Sequence, residues 1–236
     1  MMTQIHKAII SEIIKETHNV RTLRLKFSDI DNFSFLPGQF VMLTIDTDPE
    51  KQKRSYSIAS SSMQKDSIEI TFRIEGKFTT KLSQMQKADS ITVMGPYGHF
   101  TFRDEIKQDL VIIAGGTGIA PFRSYVKYID EKGLPNRVIV FYSSKMPEDV
   151  IYYNEFIELQ RRNRNIEFVF TVTRYEGNDW HELKGRFDEQ VIKSRVSDMR
   201  NKLFYSCGST SFVNEMVAIL KKTGVNDEQI KTEKWG

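Results

Sequence analysis

Arg54-Ser-Tyr-Ser-Ile-Ala-Ser60 sets an arginine, a tyrosine and several serines on a short β-prone segment, with Arg54 and Tyr56 two residues apart and so on one strand face. Arginine offers a forked donor to phosphate oxygens, tyrosine a flat ring for stacking, and serine a compact hydrogen-bonding group. Alone, the pattern also describes an ordinary strand with an exposed arginine. Its neighbours change that balance. Gly76-Lys-Phe-Thr-Thr-Lys-Leu82 follows with the features of a helix start able to receive an anion.

A third stretch, Asp109-Leu-Val-Ile-Ile-Ala-Gly-Gly-Thr-Gly-Ile-Ala-Pro121, reads as a strand, a tight turn and a helix start. Residues 110–114 have the unbroken apolar character of a strand covered on both faces. Gly115, Gly116 and Gly118 let the backbone take positive φ and approach a ligand with no Cβ in the way. Pro121 suits the first helical turn, where its missing N–H costs nothing. The unpaired amides at that helix start favour a dinucleotide pyrophosphate. The spacing is Gly-x-Gly-x-x-Pro, and a strand-turn-helix joint without a ligand would look similar.

These residues need a scaffold, and the chain supplies two rhythms. Up to about residue 98 the pattern is short β-rich segments separated by turns, expected over residues 8–16, 20–27, 39–46, 55–60, 67–75 and 90–94, with a short helix at 79–85. That describes an antiparallel barrel or sandwich. Beyond Arg103, strand and helix alternate, which implies a parallel sheet with helices on its faces. Strands are expected at 110–114, 137–143, 167–173, 202–207 and 230–235, and helices at 120–132, 150–160, 188–194 and 211–222. The expected organisation is therefore two domains, residues 1–104 and 105–236. On the last helix Phe212, Met216, Ile219 and Leu220 share one face and read as core.

Composition narrows the chemistry. The net charge of +3 is too small and dispersed to argue for nucleic acid. Cys207 is the only cysteine, so this chain alone offers no cysteine-ligated iron-sulfur cluster, and electrons, if handled, travel on an organic cofactor. His6, His18, His99 and His181 lack metal-ligand spacing, and no metal site is expected. No run approaches a membrane span and no start-region block resembles a signal peptide, so a cytoplasmic protein is expected.

Taken in order, the motifs resemble those of the ferredoxin-NADP reductase family of flavoproteins: Arg-x-Tyr-Ser at 54–57, Gly-x-x-Ser/Thr-x-x-Leu at 76–82, Gly-Pro-x-Gly-x-Phe at 95–100 and Gly-Gly-Thr-Gly-Ile-Ala-Pro at 115–121. Tyr205-Ser-Cys-Gly-Ser209 and Glu233-Lys-Trp-Gly236 continue the match to the end of the sequence. The resemblance implies an N-terminal FAD-binding β-barrel followed by an α/β NAD(P)-binding domain. It places Arg54 on the FAD pyrophosphate, Tyr56 on the isoalloxazine and Ser57 beside flavin N5, with Ser55 between them. Backbone groups near Phe72, and those of Gly76, Lys77, Phe78, Thr79 and Thr80, would hold the ring edge and phosphates. Gly116, Thr117, Gly118 and Pro121 would cradle the nicotinamide dinucleotide, and Cys207 and Gly208 would line the nicotinamide pocket. Trp235 would match the aromatic that covers the flavin, and the implied catalytic set is Ser57, Cys207 and Glu233.

Three departures bear on this. Ser209 stands where many relatives have proline, Tyr142-Ser-Ser-Lys145 replaces Tyr-Gly-x-Arg, and Gly236 follows the aromatic. The implied activity is hydride transfer from NADPH or NADH to FAD, then electron transfer to a separate redox-protein acceptor such as a ferredoxin or flavodoxin. A free-flavin reductase and a non-catalytic flavin-binding subunit remain open alternatives. NADPH is favoured because Ser144, Lys145 and Arg174 follow the second and third nucleotide strands, where they could bind a 2′-phosphate, and no acid follows the second strand before Glu148.

Overall fold

The computed structural model describes residues 4–31 and 33–235. By internal contacts the chain forms two compact units: one runs to Arg103 and also takes in Ala120–Lys132, while the other comprises Asp104–Ile119 and Gly133 onward.

The first unit carries β1 (Gln4–Lys15), β2 (Val20–Phe27), β3 (Phe40–Ile45), β4 (Arg54–Ser57), β5 (Ser67–Arg73), α1 (Lys77–Gln84) and β6 (Ser90–Tyr97). The six strands form one antiparallel sheet in the order β4-β3-β6-β1-β2-β5. Its two outer strands are brought together by an antiparallel bridge between Ile58 and Ile70, so the sheet curls into a nearly closed barrel. The bridge also explains why β4 is shorter than the expected strand over residues 55–60. Strand pairing with β3 ends at Ser57; Ile58 N still donates to Gln39 O at 2.9 Å, and Ala59 N then turns to Glu69 O of β5 at 2.7 Å. β1 starts four residues earlier than expected because Gln4 to Lys7 pair with Gly95 to Thr92 of β6. Alternation places Ala8, Ile10, Leu23, Leu25, Val41, Leu43, Ile68, Ile70, Ile91 and Val93 inside, and Phe78 and Leu82 of α1 join them. Each such aliphatic or aromatic side chain contributes about 1.5–3 kcal/mol on burial.

The second unit has an all-parallel sheet, as its alternating apolar pattern implied. It contains β7 (Asp109–Gly115), β8 (Val138–Ser144), β9 (Ile166–Val172), β10 (Leu183–Lys184), β11 (Lys202–Ser209) and β12 (Ile230–Trp235). The order is β10-β9-β8-β7-β11-β12. Successive strands therefore step outward from β7 in one direction, and β11 and β12 fall on its other side. The order switches between β7 and β11, and the carboxyl ends of strands at such a switch are the usual ligand position in an open α/β sheet. Helices α3 (Tyr153–Arg162), α4 (Glu189–Arg195) and α5 (Thr210–Lys222) belong to this unit. The helix α2 (Ala120–Glu131) groups with the barrel, where Tyr125 Oη donates to Phe100 O at 3.0 Å. Among the described residues no helix is long and apolar enough to cross a membrane.

Candidate functional site

In the barrel, strand alternation does what the sequence implied: Arg54 and Tyr56 project to one side of β4 and both reach Phe78 in the first turn of α1. The Arg54 guanidinium carbon lies 5.9 Å from the Phe78 ring centre. The Tyr56 ring stacks on Phe78 at 6.2 Å and 24°, and meets Phe72 edge-on at 6.1 Å. Phe72 and Phe78 are buried, so two fixed rings hold the half-buried Tyr56 in place. Burial pushes the Tyr56 phenol up, and Arg54 offsets a part of this. Ser57 ends β4 opposite Phe40, half-buried, and Ser55 is exposed.

The helix α1 begins at Lys77, two residues before its expected start, and the reason is Gly76. Its φ of 90° is open to glycine at little cost, and it turns the chain sharply from β5 into the helix. No side chain caps this N-terminus and no acidic residue lies in its first turn. The hydroxyls of Thr79 and Thr80 are turned back onto Gly76 O, at 3.1 and 2.9 Å. Thr79 Oγ1 also accepts from the Glu75 amide at 2.7 Å. The amides of Lys77, Phe78 and Thr79 thus face outward with no intrahelical acceptor, beside open space at Gly76. Among the described residues Arg54 donates only to neutral acceptors, Lys53 O and Gln52 Oε1. An uncapped helix start beside an arginine without a carboxylate partner fits a pyrophosphate, and the flat Tyr56–Phe78 stack fits an adjoining ring system.

In the second unit the glycines behave differently from the expectation. Of Gly115, Gly116 and Gly118, only Gly116 takes a positive φ, 54°. The other two are required by packing. A Cβ on Gly118 would stand 2.3 Å from Cys207 O, and one on Gly115 would press on the Phe212 ring at 3.0 Å. At Gly118 the close approach is therefore to the end of β11 and not to a ligand. The chain forms a 3-10 turn over Gly116–Ile119 and passes directly into α2, which puts Pro121 second in that helix. Thr117 is half-buried in the turn.

Parallel pairing sets Cys207 opposite Glu233 and Ser209 opposite Trp235. The Cys207 Sγ lies 3.9 Å from Glu233 Oε2. Burial and the neighbouring carboxylate push the Cys207 thiol well up, and burial raises the Glu233 carboxyl as well, so this cysteine is a thiol and not a thiolate. Gly208 lets Phe212 come close, since a Cβ there would sit 2.8 Å from the ring. Ser209, which departs from the proline of many relatives, accepts from Phe212 N at 3.4 Å and caps α5. Trp235 is 40% exposed on the outermost strand.

Lys145 and Arg174 are brought together. Thr173 N donates to Ser144 O at 3.0 Å and Arg174 N to Lys145 O at 2.9 Å, which extends the β8–β9 pairing by two residues and sets both exposed cations at one sheet end. Neither forms an ion pair among the described residues. Ser144 is buried, with Oγ 3.5 Å from Asp149 O, and Ser143 is the more open hydroxyl. Sequence reasoning did not single out Glu69 or Arg123. The available signal was a charge inside an apolar element: Glu69 stands between Ile68 and Ile70, and Arg123 follows Phe122 in a helix turn that is otherwise buried.

The barrel thus carries an uncapped helix start beside an aromatic stack, and the parallel sheet a glycine turn at its switch point, two candidate binding surfaces in one chain. Family models agree in order: the oxidoreductase FAD-binding domain matches residues 7–102 and the oxidoreductase NAD-binding domain residues 112–218. The chain belongs to the oxidoreductase family defined by these FAD-binding and NAD-binding domains, and its fold is that of ferredoxin-NADP reductases. It is 31% identical over 202 residues to sulfhydrogenase 2 subunit gamma of Pyrococcus furiosus, covering 82% of this chain and 68% of that one. It is 25% identical over 236 residues to the glycine betaine monooxygenase reductase subunit of Chromohalobacter salexigens, covering 98% of this chain and 64% of that protein, just under two thirds of its length. A ferredoxin NADP+ reductase from Neisseria gonorrhoeae with bound FAD and NADP superposes with a TM-score of 0.80 at 21% identity, covering 99% of each chain.

Proposed function

We propose that the protein is a FAD-dependent NAD(P)H oxidoreductase serving a separate electron acceptor. With FAD bound, the chemistry supplied is acceptance of hydride from nicotinamide C4 at flavin N5 and onward transfer of the electrons. Arg54 and the first-turn amides of α1 hold the pyrophosphate, Tyr56 stacks on the flavin, and Ser57 presents its hydroxyl near the reacting edge. The turn of Gly116, Thr117 and Gly118, with Pro121, receives the nicotinamide nucleotide. Cys207 and Gly208 form an uncharged wall for its ring, with Glu233 adjoining and Trp235 as the aromatic cover. Lys145 and Arg174 give a 2′-phosphate two cations, which favours NADPH over NADH.

The observation that carries this reading is the convergence of Arg54, Tyr56, Phe72 and Phe78 on an uncapped helix start. The names of the relatives, a reductase subunit for a monooxygenase and a subunit of a sulfhydrogenase, support a protein acceptor over free flavin.

The test is anaerobic mixing of FAD-loaded protein with NADPH or NADH while flavin absorbance is followed. Bleaching is expected with both and faster with NADPH. Bound flavin that neither nucleotide bleaches would favour a non-catalytic subunit and end the proposal.

A further inference from the structure

The nucleotide turn feeds straight into α2, and the fourth residue of that helix, Arg123, is buried. Its guanidinium donates to Glu69 Oε2 at 2.5 Å and to Ala59 O at 3.2 Å. Glu69 lies in the middle of β5 with 3% of its side chain exposed, against 7% for Arg123. Its other oxygen accepts from Arg24 Nε and Nη2 at 2.9 and 2.7 Å. The Glu69 amide donates to Ser60 Oγ at 3.0 Å and its carbonyl accepts from Ala59 N at 2.7 Å. Glu69 is thus fixed at main chain and side chain alike, so whatever it grips is fixed to the barrel.

Rings also seat α2, with Phe122 and Tyr125 against Phe100 and Tyr125 against Phe102, and Tyr125 Oη donates to Phe100 O at 3.0 Å. Ring packing is strong but tolerates small slides and rotations. A guanidinium held between a carboxylate and a carbonyl does not, because each bond has a direction. A buried ion pair is also a poor stabiliser. Its desolvation cost largely offsets the attraction, and well-packed apolar replacements are often equally stable or better. Stability alone therefore gives little reason for this pair to sit at this point of the helix.

We propose that Arg123 and Glu69 are a positioning pair: they fix the axial and rotational setting of the first turn of α2, and so the carboxyl end of the Gly116–Ile119 nucleotide turn, for hydride transfer. The inference rests on the function proposed above. Neither residue belongs to the cofactor-binding set proposed above. Their effect passes through the three residues that separate Arg123 from the turn.

The experiment compares the parent with Arg123→Lys and with the double variant Glu69→Gln/Arg123→Met, all as FAD-loaded full chains. The double variant removes both buried charges and leaves Arg24, whose side chain is 40% exposed, paired with Glu12, and its Tm is expected within about 4 °C of the parent. Its FAD affinity and its bleaching by dithionite should match the parent. At saturating NADPH, flavin reduction should be slower by about tenfold or more, since small misplacements of a reactant carry costs of that size. The nucleotide concentration for half-maximal rate should change much less. Arg123→Lys, which keeps the charge but not the planar guanidinium, should fall between the two. Parent-like reduction rates in the folded double variant would overturn the pair's role, as would a loss that merely follows loss of FAD. If the double variant does not fold, Arg123→Lys decides: a parent-like rate overturns the proposal and a reduced rate at unchanged Tm supports it. A parent that neither nucleotide bleaches would instead overturn the function itself, and this proposal with it.

Discussion

The barrel and the parallel sheet build their binding surfaces by opposite means. In the barrel, the relevant residues lie on β4, β5 and α1, and side chains hold them: Tyr56 rests on Phe72 and Phe78, and Arg54 reaches over Phe78. In the sheet they lie at the carboxyl ends of β7, β8, β9, β11 and β12, and main chain holds them. Gly118 presses on Cys207 O, and Thr173 and Arg174 donate to Ser144 and Lys145 carbonyls. One surface should therefore be sensitive to what a side chain loses, the other to what a side chain adds.

The sharpest test of that contrast is Gly118→Ala. A single methyl would meet backbone at 2.3 Å and 2.7 Å, so β11 or the turn must move. A loss of about 3 kcal/mol is expected, which is a fall in Tm of about 6–12 °C, together with weakened nucleotide binding. An unchanged Tm would show that the turn yields easily and would break the comparison.

Arg54→Ala comes next. It removes the proposed charge-assisted phosphate contact, and FAD affinity should drop by about 1.5–3 kcal/mol, tenfold to somewhat over a hundredfold, with little change in nucleotide affinity. Equal FAD retention in variant and parent would take Arg54 out of the site. The smallest effect is expected for Arg174→Ala, whose cation is exposed and shares its work with Lys145. Its kcat/KM should fall by about tenfold for NADPH, near 1.4 kcal/mol, and far less for NADH. Equal losses with both cofactors would remove the 2′-phosphate assignment.

What the sequence revealed followed the range of the forces involved. Period-two alternation placed Arg54 and Tyr56 on one face, and continuous apolar runs located β7, β8 and β9 to within a residue or so. Those are local effects. β10 was missed because two residues carry no period. The glycines of the turn were misread for a related reason: φ is a local property, but the constraint on Gly118 comes from a strand about ninety positions later in the chain. The Arg123–Glu69 pair spans 54 residues, and no local pattern announces that an arginine in a helix will meet a glutamate in a strand.

The grouping of α2 with the barrel has a consequence for modularity. Exchange of nucleotide modules between relatives looks simple in sequence, where the FAD-binding match ends at 102 and the NAD-binding match starts at 112. A crossover in that interval would separate Phe122, Arg123 and Tyr125 from Phe100, Glu69 and Phe102, the groups against which they have settled. A chimera made there inherits a foreign helix on a native seat, with an unmatched carboxylate beneath it. Grafts that carry residues 120–132 along with the barrel, and join again beyond them, keep that seat intact. The unit of inheritance at this junction is discontinuous, and recombination by a single cut cannot transmit it.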